Sequence, residues 1–176
     1  MGTVTEVSDM SIDMTIRIAG IVPESIVDGR GIRMTIFTQG CPHHCAGCHN
    51  PQTHDPSGGT EVKVSEIIEQ MRSNPLLDGI TFSGGEPFEQ RAAVMCIAKA
   101  ACDIGLTVWC YTGYTWEEIW RDYRKSEMLE YIDVLVDGRF ILEQRSLELK
   151  WRGSKNQRVI DVFESICADR IIELEE

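Results

Sequence analysis

Positive charge is scarce in this chain. Its 176 residues carry 17 lysines and arginines against 28 aspartates and glutamates, which gives a formal net charge of -11. A surface field of that sign repels nucleic-acid phosphates and anionic lipids, so we expect neither nucleic acid nor a membrane surface as a partner. Long apolar runs are also missing. The longest uncharged stretch, 34–54, is polar, and the next, 104–116, is too short to span a bilayer.

The first 14 residues lack the basic-then-apolar order of a secretory leader and are mostly polar. We therefore expect a cytoplasmic protein. The composition, 43% hydrophobic and 26% charged, is that of an ordinary globular protein. The length suits one domain, so we expect a loose lead-in over 1–13 and a single domain over 14–176.

The apolar pattern predicts strands that alternate with helices, which is typical of parallel βαβ units. Strands are predicted at 14–20, 32–38, 79–82, 106–111, 132–136 and 158–162, and helices at 64–72, 87–104 and 115–130. A complete eight-unit barrel takes ~250 residues, more than this chain has. We therefore predict an α/β fold, a partial, open βα barrel of about five to six mostly parallel strands. An open doubly wound sheet is the alternative.

Four chemically distinctive loops each follow one of these strands. They are a cysteine-rich segment after 38, SGGE at 83–86, the pair Thr112 and Gly113, and DGR at 137–139. In parallel sheets the carboxyl ends of the strands meet at one edge, where such folds place their active sites. We therefore expect the four loops to converge, although glycine-rich loops also serve simple chain reversal.

The cysteine-rich segment reads CPHHCAGCHN over 41–50. Cys41, Cys45 and Cys48 have the spacing C-x3-C-x2-C, and all four histidines of the chain lie between 43 and 54. Thiolates are soft ligands that select zinc or iron–sulfur clusters. Three cysteines on a cubane cluster leave one iron without a protein ligand, which is the open position that a catalytic metal site needs.

Two other uses of these thiols stay open. Zinc could be held by the three cysteines and one of His43, His44, His49 or His54, which would make the chain a non-catalytic zinc-binding interaction module. A closed electron-carrier cluster would instead recruit a distant fourth cysteine.

The cysteine triplet resembles the signature of radical S-adenosylmethionine (SAM) enzymes. Further motifs resemble the family of anaerobic ribonucleoside-triphosphate reductase activating proteins, and the resemblance runs from about residue 15 to 165. The motifs are DGRGIR at 28–33, GCPH at 40–43, CHNP at 48–51, YTGYTWEE at 111–118 and RGSKNQRVID at 152–161.

This resemblance implies that Cys41, Cys45 and Cys48 hold a 4Fe–4S cluster whose open iron binds SAM. It implies that the 83–86 segment binds the methionine ammonium, and that Asp137 and Arg139 contact the ribose and carboxylate. The full set of implied cofactor-binding residues is Gly47, Cys48, His49, Ser83, Gly84, Gly85, Glu86, Asp137 and Arg139. Gly47 stands where the superfamily often has an aromatic residue, so adenine stacking is not expected there.

The implied reaction begins with reduction of the cluster by flavodoxin or ferredoxin. SAM is then cleaved to methionine and a 5′-deoxyadenosyl radical, which takes hydrogen from a glycine of the reductase large subunit. No protein acid, base or nucleophile is required. Pyruvate formate-lyase or another glycyl-radical enzyme is the alternative target.

Two further hypotheses concern segments around this site. The basic residues Lys150, Arg152, Lys155 and Arg158 are expected to help hold the cofactor or the partner protein. The polar segment 39–60 has few apolar side chains to order it, so we expect it to be mobile without the cluster.

Overall fold

The structure is a computed structural model that describes residues 14–174. The expected lead-in over 1–13 and the last two residues of the expected domain lie outside the described residues. The domain bounds 14–176 therefore stay a prediction.

The described part contains seven strands and five α-helices. The strands are β1 (Thr15–Ser25), β2 (Arg33–Thr38), β3 (Thr60–Lys63), β4 (Gly79–Gly84), β5 (Thr107–Tyr111), β6 (Val134–Asp137) and β7 (Arg158–Asp161). The helices are α1 (Val64–Ser73), α2 (Arg91–Cys102), α3 (Trp116–Arg121), α4 (Tyr123–Ser126) and α5 (Val162–Ala168). Short 3-10 turns lie at Pro51–Thr53, Pro87–Gln90, Glu127–Tyr131 and Leu142–Gln144.

All seven strands of this part form one sheet in the order β3-β1-β2-β4-β5-β6-β7. The four central strands β2, β4, β5 and β6 run parallel, while β1, β3 and β7 pair antiparallel to their neighbours. The predicted α/β class is confirmed. The expected number of five to six strands is too low, because the described sheet has seven. Five of these seven strands, β2 to β6, run in one direction, and β1 and β7 run in the opposite direction.

The connections agree with these antiparallel pairings. A parallel return needs a crossover of a dozen or more residues, usually with a helix. The link between β1 and β2 spans only 26–32, which is too short, and the longer link between β6 and β7, 138–157, contains one short 3-10 turn and no α-helix. Strand β3 has four residues at the end of the segment 39–60, where the sequence shows no periodicity, and it was not predicted.

The two faces of the sheet differ in character because side chains alternate along each strand. One face is apolar and lies under α1 and α2; it includes the buried side chains Met34, Ile36, Ile80, Phe82 and Leu135. The opposite face carries polar and aromatic side chains from the same strands, namely Arg33, Thr35, Phe37, Thr81, Trp109 and Tyr111. This second face lies below the candidate site.

Two predicted helices have different limits in the structure. The capping box of Thr115 and Glu118 is confirmed at the start of α3, but the helix ends at Arg121 instead of near 130. Asp122 is extended, and its side chain caps the separate helix α4. The helix expected from Pro87 starts as a 3-10 turn and becomes α-helical only at Arg91.

We find no helix within residues 14–174 that combines the length and apolar character needed to cross a membrane.

Candidate functional site

A cavity of about 460 Å³ lies at the carboxyl ends of the parallel strands. Its walls come from the loops that follow β2, β4, β5 and β6 and from the segment before β7. Each of the four loops that the sequence singled out contributes at least one lining residue: Cys41, Ser83, Thr112 and Gly138 are examples. The expected convergence of these loops is confirmed.

Cys41, Cys45 and Cys48 all line this cavity, and each is partly buried. Their loop is held at its base by backbone hydrogen bonds from Gly40 N–H to the Thr53 carbonyl (2.8 Å) and from Cys41 N–H to the His54 carbonyl (3.2 Å). The remaining cysteines, Cys96, Cys102, Cys110 and Cys167, do not line the cavity. The structure therefore brings together the three thiols that the sequence predicts, without a fourth.

The surroundings of these sulfur atoms combine burial with backbone donors. Burial raises the pKa of the Cys41 thiol, while the backbone N–H groups of His43 and His44 act in the opposite direction. Burial also raises the pKa of Cys45, and a backbone hydrogen bond from Phe140 opposes that rise. The Asn50 N–H donates to Cys48 Sγ at 3.4 Å. Such N–H groups stabilise thiolates and tune iron–sulfur clusters.

The donor set fits a cluster better than a single ion. Among residues 14–174, no three His, Cys, Asp or Glu side chains converge as ligands of one metal ion. The thiolates of a cubane cluster bind different irons and do not have to converge on one point. Three cysteines, backbone N–H groups at the sulfurs and a cavity in front of them fit a 4Fe–4S cluster.

Ser83, Gly84 and Gly85 line the cavity beside the cysteine loop. Gly84 has a φ of 92°, and a Cβ there would lie 2.7 Å from Phe37 Cα. A Cβ on Gly85 would lie 2.4 Å from the Gly40 carbonyl oxygen. The glycines therefore let the loop after β4 pack directly against the backbone that leads into Cys41.

Glu86, the last residue of the same motif, is fully buried and does not line the cavity. Its carboxylate accepts hydrogen bonds from the Phe88 and Gly113 N–H groups and the Thr112 hydroxyl, and His43 Nε2 lies 2.7 Å away. The structure thus places Glu86 behind the cavity wall.

Asp137 and Arg139 line a neighbouring cavity of about 360 Å³. The Asp137 carboxylate is buried, where it accepts from the Trp116 N–H (2.7 Å) and from Arg158 Nε (3.0 Å). Gly113 and Gly138 line both cavities, so the two spaces share a wall.

Gly47 and His49 take different positions in the cysteine loop. His49 lines the cavity, and its ring lies 4.8 Å from that of Phe140. Gly47 lies outside the lining, with a φ of 69°, and a Cβ there would lie 2.8 Å from Leu142 Cδ1. The structure explains this glycine by its close packing against the 3-10 turn Leu142–Gln144.

Several lining residues were not predicted from the sequence. An aromatic group, Phe37, Tyr111, Phe140 and Trp151, forms part of the wall, and burial raises the pKa of Tyr111. Strand alternation could have indicated Phe37 and Tyr111, which follow the same register as Thr35 and Trp109. His54, which the sequence offered as one possible zinc ligand, also lines the cavity, and its Nε2 is buried without a hydrogen-bond partner in the described part of the chain.

The basic segment expected to serve the site divides into two parts. Arg152 lines the cavity, as do Gly153 and Gln157. Arg158 lines only the neighbouring cavity, where it forms ion pairs with Asp137 and Glu117.

Comparison with known proteins gives two concordant results. The family model for a 4Fe–4S single cluster domain matches residues 27–160, which is most of the chain. Among curated proteins, the anaerobic ribonucleoside-triphosphate reductase-activating protein of Haemophilus influenzae is 38% identical over 152 residues, covering 77% of this chain and 91% of the relative.

Two further relatives carry the same description. The protein of Escherichia coli K12 is 34% identical over 78% of this chain and 93% of its own length. The protein of Enterobacteria phage T4 is 34% identical over 79% of this chain and 90% of its own length. The similarity therefore spans the site and nearly all of each relative.

Proposed function

The chain belongs to the family of anaerobic ribonucleoside-triphosphate reductase-activating proteins, and from this premise we propose that it activates such a reductase as a radical SAM enzyme. The observation that carries the proposal is a cavity at the carboxyl ends of four parallel strands lined by three thiols without a fourth. A glycyl-radical large subunit of the reductase is the proposed partner.

Cys41, Cys45 and Cys48 are the proposed cluster ligands, and the backbone donors at their sulfurs support this assignment. A 4Fe–4S cluster held by these thiols, with flavodoxin or ferredoxin as its reductant, would supply the electron for reductive cleavage of SAM, the chemistry by which a hydrogen atom would be removed from a reductase glycine. His49, Ser83, Gly84 and Gly85 lie beside the thiols and would hold SAM against the cluster.

The aromatic wall has a separate part in this proposal. Phe37, Tyr111, Phe140 and Trp151 reduce the polarity of the cavity and limit the water that can enter it. A radical that abstracts hydrogen needs a site from which water and other hydrogen donors are kept away. The side chains of this wall would also restrict the orientations that a bound nucleoside can adopt.

The fold supports the proposal at a coarser level. We propose that the sheet corresponds to the partial βα barrel of radical SAM enzymes, with β2, β4, β5 and β6 as its parallel part. The polar and aromatic face of these strands would then be the inner surface of the barrel. A cytoplasmic location agrees with this function, which requires a reduced cluster.

The test is anaerobic reconstitution of the full chain with iron and sulfide, followed by dithionite and SAM. We expect 5′-deoxyadenosine as a product and, with the reductase present, the electron paramagnetic resonance signal of a glycyl radical. Cys45→Ser should abolish both. Cys102→Ser changes an exposed cysteine outside the cavity and should leave both intact. Bound zinc without iron or sulfide would contradict the proposal.

A further inference from the structure

The buried carboxylate of Glu86 joins three loops at the edge of the site. Its Oε1 accepts from the Phe88 N–H (3.1 Å) and the Thr112 hydroxyl (2.9 Å). Its Oε2 accepts from the Gly113 N–H (2.8 Å) and lies 2.7 Å from His43 Nε2. An ionised carboxylate has about four lone-pair sites, and these four contacts use them all. No acceptor capacity is left for a ligand ammonium group.

His43 is the residue of the cysteine loop that contacts Glu86. It lies between Cys41 and Cys45, and only 4% of its side chain is exposed. With Glu86 as the acceptor, the contact is a hydrogen bond that the His43 Nε2–H donates. The ring packs edge-on against Tyr114 with 4.6 Å between centroids, and a Cβ on Gly113 would lie 2.3 Å from it. The pocket behind the cysteine loop is thus shaped for this ring.

Backbone contacts place the same loops in register. The Glu86 N–H donates to the Gly40 carbonyl, and the Gly85 N–H donates to the Thr38 carbonyl, each at 2.8 Å. The loop after β4 is therefore fixed to the residues immediately before Cys41. The side chain of Glu86 extends this connection past Cys41, through His43, to the middle of the cysteine loop.

We propose that Glu86 is a positioning residue, which holds the cysteine loop on the ends of β4 and β5 through His43 and does not bind SAM itself. This inference rests on the proposed function, because it concerns how the cluster ligands are placed. It differs from the role that the family resemblance implies, in which Glu86 contacts the methionine ammonium. In this structure Ser83, Gly84 and Gly85 face the cavity, and Glu86 faces the loop behind it.

The test compares Glu86→Gln, His43→Phe and the double variant with the unaltered full chain. His43→Phe keeps a ring against Tyr114 and removes the donor, and His43→Gln restores a donor on a flexible side chain. Hydrogen exchange of the backbone amides over 41–50 is measured before the cluster is added. SAM affinity and iron content are measured after reconstitution.

If Glu86 positions the loop, Glu86→Gln and His43→Phe each accelerate exchange over 41–50 by about tenfold or more, because a hydrogen bond to a charged group is lost. The double variant should exchange no faster than the faster single variant, and His43→Gln should recover part of the protection. Iron content and SAM affinity should fall together in both single variants. Amides of α2 serve as the internal control and should keep their protection.

The opposite pattern overturns the inference. If Glu86 binds SAM, Glu86→Gln lowers SAM affinity while exchange over 41–50 and iron content stay unchanged, and His43→Phe, although His43 also lines the cavity, leaves exchange over 41–50 unchanged. Should Glu86→Gln lose its fold, the comparison of His43→Phe with His43→Gln decides alone. The exchange measurement needs no cluster, so failure of the chain to bind iron would contradict the proposed function and leave this result valid.

Discussion

Arg33 is a charged side chain with 1% of its surface exposed. Its guanidinium donates to the hydroxyls of Thr81 (2.7 Å) and Thr107 (3.0 Å) and to the carbonyls of Arg30, Ile80 and Thr107. Burial lowers its pKa to about 10, so the group remains charged at neutral pH. One side chain thus joins β2, β4 and β5 near their amino ends, on the face of the sheet that carries the site.

We expect Arg33→Met to lower the free energy of unfolding by roughly 3 kcal/mol or more, because buried carbonyl and hydroxyl groups lose their donor. Urea denaturation of the full chain measures this change. Arg17→Met on β1 is the matched control; its side chain is partly exposed, and its loss should cost about 1 kcal/mol or less. Equal effects of the two substitutions would contradict the bridging role of Arg33.

Glu117 gives a prediction on acid stability. Hydrogen bonds from Arg158 hold the pKa of this carboxyl at about 2, below its ordinary value of 4.5. A carboxyl whose pKa falls on folding stabilises the protein above the unfolded pKa, and that contribution disappears as the pH falls through the folded pKa. The stabilisation is therefore fully present at neutral pH and is lost between about pH 4.5 and 2.

The variant Glu117→Gln should therefore be slightly less stable than the unaltered chain at pH 7, by about 1 kcal/mol or less because the pair is partly exposed. This difference in the free energy of unfolding between the variant and the unaltered chain should disappear as the pH approaches 2. Thermal unfolding across that range measures it, with Glu61→Gln as a control that removes an exposed carboxylate on β3. A stability difference that increases in acid would contradict the stabilising role of the ion pair between Glu117 and Arg158.

For single residues, the sequence indicates which side chains belong to a motif, but it does not indicate which distant residues those side chains contact. The cysteine triplet and the capping box of Thr115 and Glu118 could be recognised because their spacing is local. The carboxylate of Glu86 could be noticed as well. Its partners lie 43 positions away at His43 and 26 positions away at Thr112, and no local pattern connects them. The sequence therefore singled out this carboxylate, but it did not indicate the buried contacts that the carboxylate makes.

The segment 39–60 separates into two parts. Gln39 is buried, and its side-chain amide donates to the carbonyls of Gln52 (3.0 Å) and Asp55 (2.7 Å). Gln90 in turn donates to the Gln39 carbonyl at 3.0 Å. These contacts hold 51–59 against the sheet independently of any metal. The part between Cys41 and Asn50 has fewer such contacts, apart from His43.

The expectation of mobility without the cluster therefore narrows to 45–50, beyond the contact of His43 with Glu86. In the chain without iron, we expect a broad-specificity protease to cut within 45–50 and to spare 51–60. The reconstituted chain should resist cleavage at both, because metal–thiolate bonds order the loop. Peptide mapping by mass spectrometry identifies the cuts. Equal cleavage of 45–50 with and without the cluster would contradict the expectation.

The observed bounds of the helices and strands show which of them the apolar pattern of the sequence predicts and which it does not. Strands β2, β4 and β5 were predicted within two residues at each end. Apolar residues alternate with polar ones in β2 and β4, and β5 contains a continuous apolar run, and both patterns are typical of strands. The helix predicted over 115–130 divides at Asp122, whose carboxylate caps α4 and favours a break over continuous helix. The edge strand β3 is too short and too exposed to show a pattern.

Charge is distributed unevenly over the whole molecule. The segment 139–158 contains six of the 17 lysines and arginines and only two carboxylates, whereas the chain as a whole carries -11. Arg152 of this segment lines the cavity, and Lys150 and Lys155 are exposed beside it. The mouth of the site is thus a basic region on an acidic protein, suited to guide an acidic partner surface by long-range attraction.

Reversing Lys150 and Lys155 to Glu together should slow activation of the reductase at low salt and leave iron content unchanged. The difference should shrink toward 1 M salt, where the screening length falls to about 3 Å. The double variant Lys63→Glu and Lys99→Glu has the same change in charge away from the cavity and should have little effect. A defect that persists undiminished in high salt would exclude electrostatic guidance. Arg158 is unsuitable for this test because it is held by Asp137 and Glu117.

The outermost strands of the sheet, β3 and β7, have four residues each. Strand β3 carries the charged residues Glu61 and Lys63. The outer backbone of β7 is hydrogen-bonded to residues 172–174 of the same chain: the Asp161 N–H donates to the Ile172 carbonyl, and the Leu174 N–H donates to the Val159 carbonyl. Long, bare strand edges are templates on which other molecules add strands and aggregate. Both edge strands are protected against such addition: β3 by its charged side chains, and β7 by its hydrogen bonds to residues 172–174. We therefore expect deletion of residues 172–174 to promote fibrillar self-assembly, and to affect this self-assembly more than the reaction at the distant thiols.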